Sequence, residues 1–540
     1  MDTVKAQQWL IGIFSVLLIV ALLIVAGVEM KKTRTFKPEI EIDETTAKCI
    51  NCHEKRGVAV KLIDEWKESR HAVMGIGCNE CHEAAADDFD AFRCPESEFL
   101  IGKHPTPKDC NKCHEDQVKE FNNSKHAAAQ IMMALKGPDR NVFQPTLTTK
   151  HGCEQCHNIG NYWPDGSIGE CDACHSKHRF SLKQARHPET CGECHIGPDH
   201  PHIEIYLESK HGNMYVAHGD EWDWNYPPGD PVPFSAPTCA TCHMSATRTN
   251  QQSTHNVSNR LTWESQAPFS VRTQEYWGGI SWQEKRANME GVCYQCHSQS
   301  FTDRYLLVAD LVNLQYNEIW KATIDWMNLL KQYNVIKTDR FMYEGEFITN
   351  WPKEGYDEEV EQIAYRNWHH EGRRFRHGAQ MMGADYTQWH GIWELQENLI
   401  KIIEYGAEHG VPEAKEWMNS KDPNKFIMYA LYDIPGSTWG PSALMYRGQL
   451  PMDRIPDYWE IVYQNVKAAY EKGLLTDKQW AMYEEIYQNK DKEIGRIYPL
   501  PELHEELMKN LKIDLKELYP QQKLNLKSFD IPFQKGTSGY

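Results

Sequence analysis

The chain has 540 residues, 25% of them charged and 41% hydrophobic, and carries a formal net charge of −18. Those fractions exclude a largely disordered chain, and the charge argues against nucleic acid or an anionic membrane surface as the main partner. Seventeen cysteines and 25 histidines are the unusual values, and in a chain this long they exclude a small disulfide scaffold.

After a short tail over 1–8, Trp9 to Val28 is a run of 20 residues without a charge. As a helix it is long enough to span about 30 Å of hydrocarbon. A secretory h-region is usually only ~7–15 residues, and Ala26-Gly27 is a marginal cleavage site. The run therefore predicts an N-terminal transmembrane helix at 9–28, followed by a tether over 29–45. Lys31, Lys32 and Arg34 beyond it run against the positive-inside rule.

Residues 46–300 hold sixteen of the seventeen cysteines, in eight copies of C-x-x-C-H. They are Cys49/Cys52/His53, Cys78/Cys81/His82, Cys110/Cys113/His114, Cys153/Cys156/His157, Cys171/Cys174/His175, Cys191/Cys194/His195, Cys239/Cys242/His243 and Cys293/Cys296/His297. Two thiols three residues apart suit covalent attachment to two haem vinyl groups, and the adjacent imidazole then lies under the iron as proximal ligand. Redox dithiols or zinc sites would not require a histidine after every second cysteine. The motifs thus predict eight covalently bound c-type haems. The leftover Cys94 reads as a buried free thiol. Haem attachment of this kind happens outside the cytoplasm, so the haem domain is expected on the periplasmic or an equivalent extracytoplasmic side, tethered by the 9–28 helix.

Seventeen histidines remain. Six recur in a Ser/Thr-rich setting: Ser69-Arg70-His71, Ser124-Lys125-His126, Thr149-Lys150-His151, Ser176-Lys177-His178, Ser209-Lys210-His211 and Ser253-Thr254-His255. A solvated surface does not explain that repetition, and a closed electron-transfer haem needs a second imidazole. These six, with His187 as a seventh, are candidate distal ligands. Seven for eight irons leaves one iron open, where a substrate binds. Just after the sixth motif, Gly197-Pro198-Asp199-His200-Pro201-His202 offers a vicinal Asp–His pair, suited to relaying protons.

From 301 the cysteines stop and long helical patterns begin. Thr302 is a candidate N-cap for a helix running to about Gln332, with Leu307, Leu311 and Leu314 on one face. Further helices are expected near 357–374, 386–405, 413–420, 457–472, 476–491 and 502–518. The fold class is mostly α: a multihaem cytochrome c array over 46–300, a long-helix scaffold or oligomerisation domain over 301–520, and a tail over 521–540.

The motif set, together with Ser209-Lys210-His211-Gly212, Cys239-Ala240-Thr241-Cys242-His243-Met244 and Thr254-His255-Asn256-Val257, resembles the octahaem hydroxylamine oxidoreductase family, whose relatives include hydrazine dehydrogenases and nitrite-reducing members. The likeness covers about residues 46–490. It implies that the fourth haem, on Cys153, Cys156 and His157, is the catalytic one and lacks a distal protein ligand. It implies that Asp199 and His200 are the active-site pair, and that the chain forms a homotrimer through its C-terminal helices. In oxidising members a tyrosine of the neighbouring subunit bonds to the catalytic porphyrin, and Tyr386, in Gly383-Ala384-Asp385-Tyr386-Thr387, is the candidate here. Pentahaem nitrite reductases fit less well, because they carry Lys at the catalytic motif and all eight motifs here end in His. The expected function is hydroxylamine or hydrazine oxidation, with a cytochrome or quinone-linked membrane complex as redox partner. The same site run reductively on nitrite or NO, or an electron conduit without substrate, remain open alternatives.

Overall fold

The computed structural model describes residues 9, 12–21, 40–95, 99–134, 151–248, 251–275, 278–337, 358–420, 432 and 455–489. Residues 12–21 are helical and exposed. Among the described residues no helix is long and apolar enough to cross a membrane. The expected 9–28 helix is thus not seen as a continuous span, and 10–11 and 22–28 lie outside the described residues. So do most of the tether, the helix expected near 502–518 and the tail over 521–540.

The described chain is mostly helical. Among the described residues its only sheet is a two-stranded hairpin, in which Phe92–Arg93 pairs antiparallel with Leu100–Ile101. The chain divides into two compact units: residues 1–104 with 176–181, and residues 105–175 with 182–540.

In the first unit Asp43 caps helix Glu44–Arg56 by accepting from Thr46 N (2.9 Å), and Gly57, in the left-handed region, ends it. Ile50, Trp66 and Ala72 form a small core, and Trp66 donates its indole N–H to Ile76 O (3.0 Å). Helix Cys78–His82 and the hairpin follow.

The second unit is organised by the 34-residue helix Gln299–Gln332. Its cap is Ser298, which accepts from Phe301 N (3.3 Å). The expected cap, Thr302, instead lies buried inside the helix. Leu307, Leu311 and Leu314 share one face and pack with Trp263 against Val462 and Val466 of helix Ile455–Glu471 and Tyr483 of helix Asp477–Gln488. Farther along, Trp320, Ile324 and Met327 pack against Val360 of helix Glu359–His369 and Leu395 and Leu399 of helix Glu394–Glu408. Burying each such side chain is worth about 1.5–3 kcal/mol, so both clusters hold the long helix in place. The expected boundary at 300/301 falls inside this unit. Buried Asp310 explains why: it accepts from Trp263 Nε1 (2.6 Å), from Arg272 Nη2 (3.2 Å), and from Arg286 and Gln479. One carboxylate thus ties the haem-motif segment to the helical one.

Candidate haem array and proton-handling site

None of the seventeen cysteines is in a disulfide, and Cys94 is half-buried rather than buried. Helices Cys78–His82, Cys153–His157 and Cys239–His243 consist of the motif itself, and the others sit inside or beside short helices. Within the second unit the motifs meet through their thiols: Cys110 with Cys171, Cys156 with Cys194, and Cys191 with Cys239. Before attachment, burial pushes the thiols of Cys78, Cys174, Cys194 and Cys242 up to about 12 and Cys293 to about 11.

Three of the sixteen motif thiols are exposed and the other thirteen are half-buried. The exposed ones are Cys113, Cys171 and Cys296. Cys52 and Cys81 are half-buried, beside Cys49 and Cys78 of their own motifs. For two of them the exposure follows position in the chain. Cys113 and the exposed His114 lie just before helix Glu115–Asn122, and Cys296 and the exposed His297 just before helix Gln299–Gln332. Both motifs end on the surface, whereas Cys191 and Cys239 face each other inside the second unit.

Four motif histidines face a candidate distal histidine. Ring centroids are 6.1 Å apart for His82 and His178, 6.1 Å for His195 and His126, 6.4 Å for His175 and His255, and 6.0 Å for His297 and His211. His195 stands equally far from His200 (6.1 Å). Of the remaining candidates, His71 lies against Phe180 (4.8 Å), His187 against Trp224 (3.9 Å), and His151 is exposed. His187 Nε2 and His178 Nδ1 are buried without a hydrogen-bond partner. On the motif side, three imidazoles place Nδ1 on a backbone carbonyl: His53 on Val58 O (3.1 Å), His82 on Gly102 O (2.9 Å) and His157 on Ala129 O (2.9 Å). A carbonyl only accepts, so Nδ1 carries the proton and Nε2 keeps its lone pair for a metal. His243 lies buried near Arg260.

The Asp–His pair is assembled by local backbone chemistry. Gly197 has φ +100, a conformation that L side chains rarely adopt, and Pro201 precedes helix His202–Glu208. Asp199 Oδ1 then meets His200 Nδ1 at 2.6 Å. Arg373 Nη1 donates to Asp199 Oδ2 (3.3 Å) and reaches His369 Nε2 (3.2 Å), while its Nη2 donates to Gln266 O (3.1 Å). His369 Nε2 is 3.9 Å from Asp199 Oδ2. Burial opposes ionisation of Asp199, but the hydrogen bond and charge of His200, with His369 and Arg373, outweigh it and hold the carboxyl well below its ordinary range. Burial, with Arg373 adding to it, pushes His369 well below its ordinary value, and burial takes His370 down to about 4. The fourth motif lies beside the sixth, with Cys156 Sγ 3.9 Å from Glu193 O.

Two family descriptions match the chain: "Seven times multi-haem cytochrome CxxCH" over residues 144–332 and "Cytochrome c554 and c-prime" over residues 24–83. Over these two segments the chain is similar to multihaem c-type cytochromes. It is 28% identical to a probable nitrite reductase–hydroxylamine oxidoreductase fusion protein of Kuenenia stuttgartiensis, over 51% of this chain and 36% of that protein. The match therefore spans about a third of that relative's length. Two solved structures share its fold at 20% identity. A hypothetical multiheme protein superposes with a TM-score of 0.60 over 70% of this chain and 98% of its own. A reducing HAO-like protein complex of Kuenenia stuttgartiensis superposes with a TM-score of 0.53 over 71% and 90%.

The chain's imidazole pairs fit haem. A metal–imidazole bond of about 2.0–2.1 Å on each side, plus two ring radii, sums to about 6 Å between centroids, which is the spacing of the four pairs. The Ser-x-His repetition has a second physical content. Ser69 and Ser209 are buried N-caps, accepting from Ala72 N (3.1 Å) and Gly212 N (3.0 Å), so His71 and His211 lie in the first turn of helices Arg70–Val73 and Lys210–His218. Gly212 is required there, because a Cβ would collide with the carbonyl oxygen of Tyr206. Ser124 likewise precedes a helical turn, Lys125–Ala128, whereas His178 and His255 stand outside any helix. Replacing Ser209 by Ala should cost about 1–2 kcal/mol, read as a lower urea midpoint with unchanged haem content; an unchanged midpoint would show that the cap is dispensable.

Tyr386 lies half-buried in the turn Ala384–Thr387. Its backbone N–H donates to Glu208 Oε1 (3.2 Å), and its ring is 5.3 Å from His390. It borders a π-helix, Gln388–Trp393, on which Trp389 and Trp393 are exposed. Sequence reasoning missed Arg373 and His369 as parts of the Asp199 site. The signal was present in His369-x-x-x-Arg373-x-x-x-His377, a four-residue spacing that gathers side chains on one helical face.

Proposed function

We propose that this chain is a multi-electron oxidoreductase of small nitrogen compounds, oxidising hydroxylamine or hydrazine at one open haem. The carrying observation is the cluster of Asp199, His200, His369 and Arg373. The relatives' names speak for nitrogen redox in either direction, and a carboxylate held ionised in this cluster suits oxidation. It can stabilise a proton taken up by the imidazole it touches, and oxidising N–H and O–H bonds releases protons with electrons.

Asp199 Oδ1 fixes the proton of His200 on Nδ1 and leaves Nε2 as the nitrogen that takes a proton from substrate. Arg373 holds Asp199 in place and balances its charge. Cys153 and Cys156 would attach a haem and His157 would ligate it, and that haem would supply the redox chemistry for the substrate nitrogen. His71, His126, His151, His178, His187, His211 and His255 would serve as second ligands to the other seven haems of an eight-haem set. Anchoring by residues 9–28 on the extracytoplasmic side, a homotrimer in which Tyr386 reaches a neighbour's porphyrin, and electron delivery to a cytochrome or quinone-linked membrane complex complete the reading.

Intact mass should show eight haem additions, and the oxidised spectrum should show a high-spin haem beside low-spin ones. An entirely low-spin protein that turns over neither hydroxylamine, hydrazine nor nitrite would overturn the enzyme reading in favour of an electron conduit.

A further inference from the structure

His195 departs from the pattern of His53, His82 and His157. Its Nδ1 meets not a carbonyl but Nδ1 of His202, at 2.8 Å. His202 Nε2 in turn meets Nδ1 of His377, at 3.1 Å. The ring centroids are 5.0 Å and 4.4 Å apart along this chain, and His377 is buried on helix Glu371–Gln380. A carbonyl can only accept. An imidazole nitrogen either donates or accepts, so the hydrogen bond on His195 depends on which nitrogen of His202 carries the proton, and the next imidazole decides that.

We propose that His377 is a positioning residue for the sixth haem, fixing the tautomer of His202 and through it the hydrogen bond on the proximal ligand His195. The chain has one consistent polarity. With its Nε2 lone pair given to a metal, His195 donates from Nδ1. His202 Nδ1 must then accept, which puts the His202 proton on Nε2, where it is donated to His377 Nδ1. An acceptor on the proximal N–H raises the basicity of the ligating nitrogen and stabilises the oxidised iron, and such outer partners tune a metal site. Arg373, four residues before His377 on the same helix, holds Asp199. One helix therefore serves both the proton-handling pair and the ligand of a neighbouring haem. The inference rests on haem attachment at Cys191, Cys194 and His195, and not on the identity of the substrate.

The test is a spectroelectrochemical titration of the holoprotein. In His377→Phe, His202 either keeps its proton on Nε2 with no acceptor or moves it to Nδ1, facing the His195 proton. Both outcomes weaken the bond, so one low-spin wave should shift to higher potential while haem mass and the high-spin signal stay unchanged. His377→Gln offers an acceptor oxygen and should restore the wave towards wild type. His202→Phe removes the acceptor directly and should shift the same wave further in the same direction; it also carries the test should His377→Phe fail to fold. Wild-type potentials in both Phe variants overturn the proposal, whatever the activity. Loss of activity in Asp199→Asn together with an intact potential shift in His377→Phe would leave both readings standing independently.

Discussion

Asp199→Asn should lower hydroxylamine turnover by about 10²–10⁴-fold, the range that general acid–base help supplies, with haem content unchanged. The amide keeps the shape of the carboxylate but loses its charge. His200 Nδ1 then loses an ionised acceptor at 2.6 Å, and Arg373 loses the anion at 3.3 Å. Without that anion, His200 gains no stabilisation when it takes a proton, so the step that accompanies electron removal slows. Steady-state oxidation with an artificial electron acceptor checks this, together with intact mass for haem. Unaffected turnover in both the oxidative and the reductive direction would remove Asp199 from the chemistry.

The second large effect is on stability. Asp310→Ala should destabilise the second unit by about 3–5 kcal/mol, the usual cost of stripping one partner from a buried ion pair. The variant leaves the guanidiniums of Arg272 and Arg286, 6% and 7% exposed, without their shared counter-charge. Trp263 Nε1 and Gln479 also lose their acceptor. Burial alone would raise the Asp310 pKa. The charges of Arg272 and Arg286 and the hydrogen bonds of Trp263 and Gln479 outweigh it, so the carboxyl titrates below its ordinary 3.8. A depressed carboxyl contributes stability that is full above the unfolded value and is lost as pH falls through the folded one. The wild type should therefore lose this contribution below about pH 4, and the variant should show a flatter acid limb. Urea unfolding at pH 7 measures the first claim; a loss below about 1 kcal/mol would contradict the role assigned to this carboxylate.

Much of the haem array was legible because its chemistry is local. C-x-x-C-H needs only five consecutive residues, and the leucine stripe 307, 311, 314 needs only one helix. How deeply each thiol sits was not legible: Cys113 and Cys242 occupy the same motif position, yet one is exposed and the other enclosed by distant parts of the chain. The histidines opposite the motifs were partly legible. Ser69 and Ser209 mark helix starts, a signal that travels with the sequence, whereas His178 and His255 are placed by loops whose course is set by distant contacts. The Asp199 site was half legible. Asp199 and His200 are neighbours in the chain, but Arg373 arrives from 174 residues away. Asp310 was invisible for a related reason. An aspartate within Leu306-Leu307-Val308-Ala309-Asp310-Leu311 reads as an interruption of an apolar face, and only the fold reveals the two arginines that make it a junction.

The division of the chain also constrains the order of assembly. His82 faces an imidazole, His178, that belongs to the same compact unit but is encoded 96 residues later (178 − 82), inside the short segment 176–181. A fragment ending at residue 104 would contain both motifs of that unit and lack this imidazole. The first unit is thus complete only after the third, fourth and fifth attachment motifs have been synthesised, although chains usually fold from the N-terminal side during synthesis. With His178 as the second ligand proposed above, the second haem would carry a temporary ligand or an empty coordination position during biogenesis until residue 178 arrives. Stalled or truncated chains should be recognisable by that one haem's high-spin absorbance.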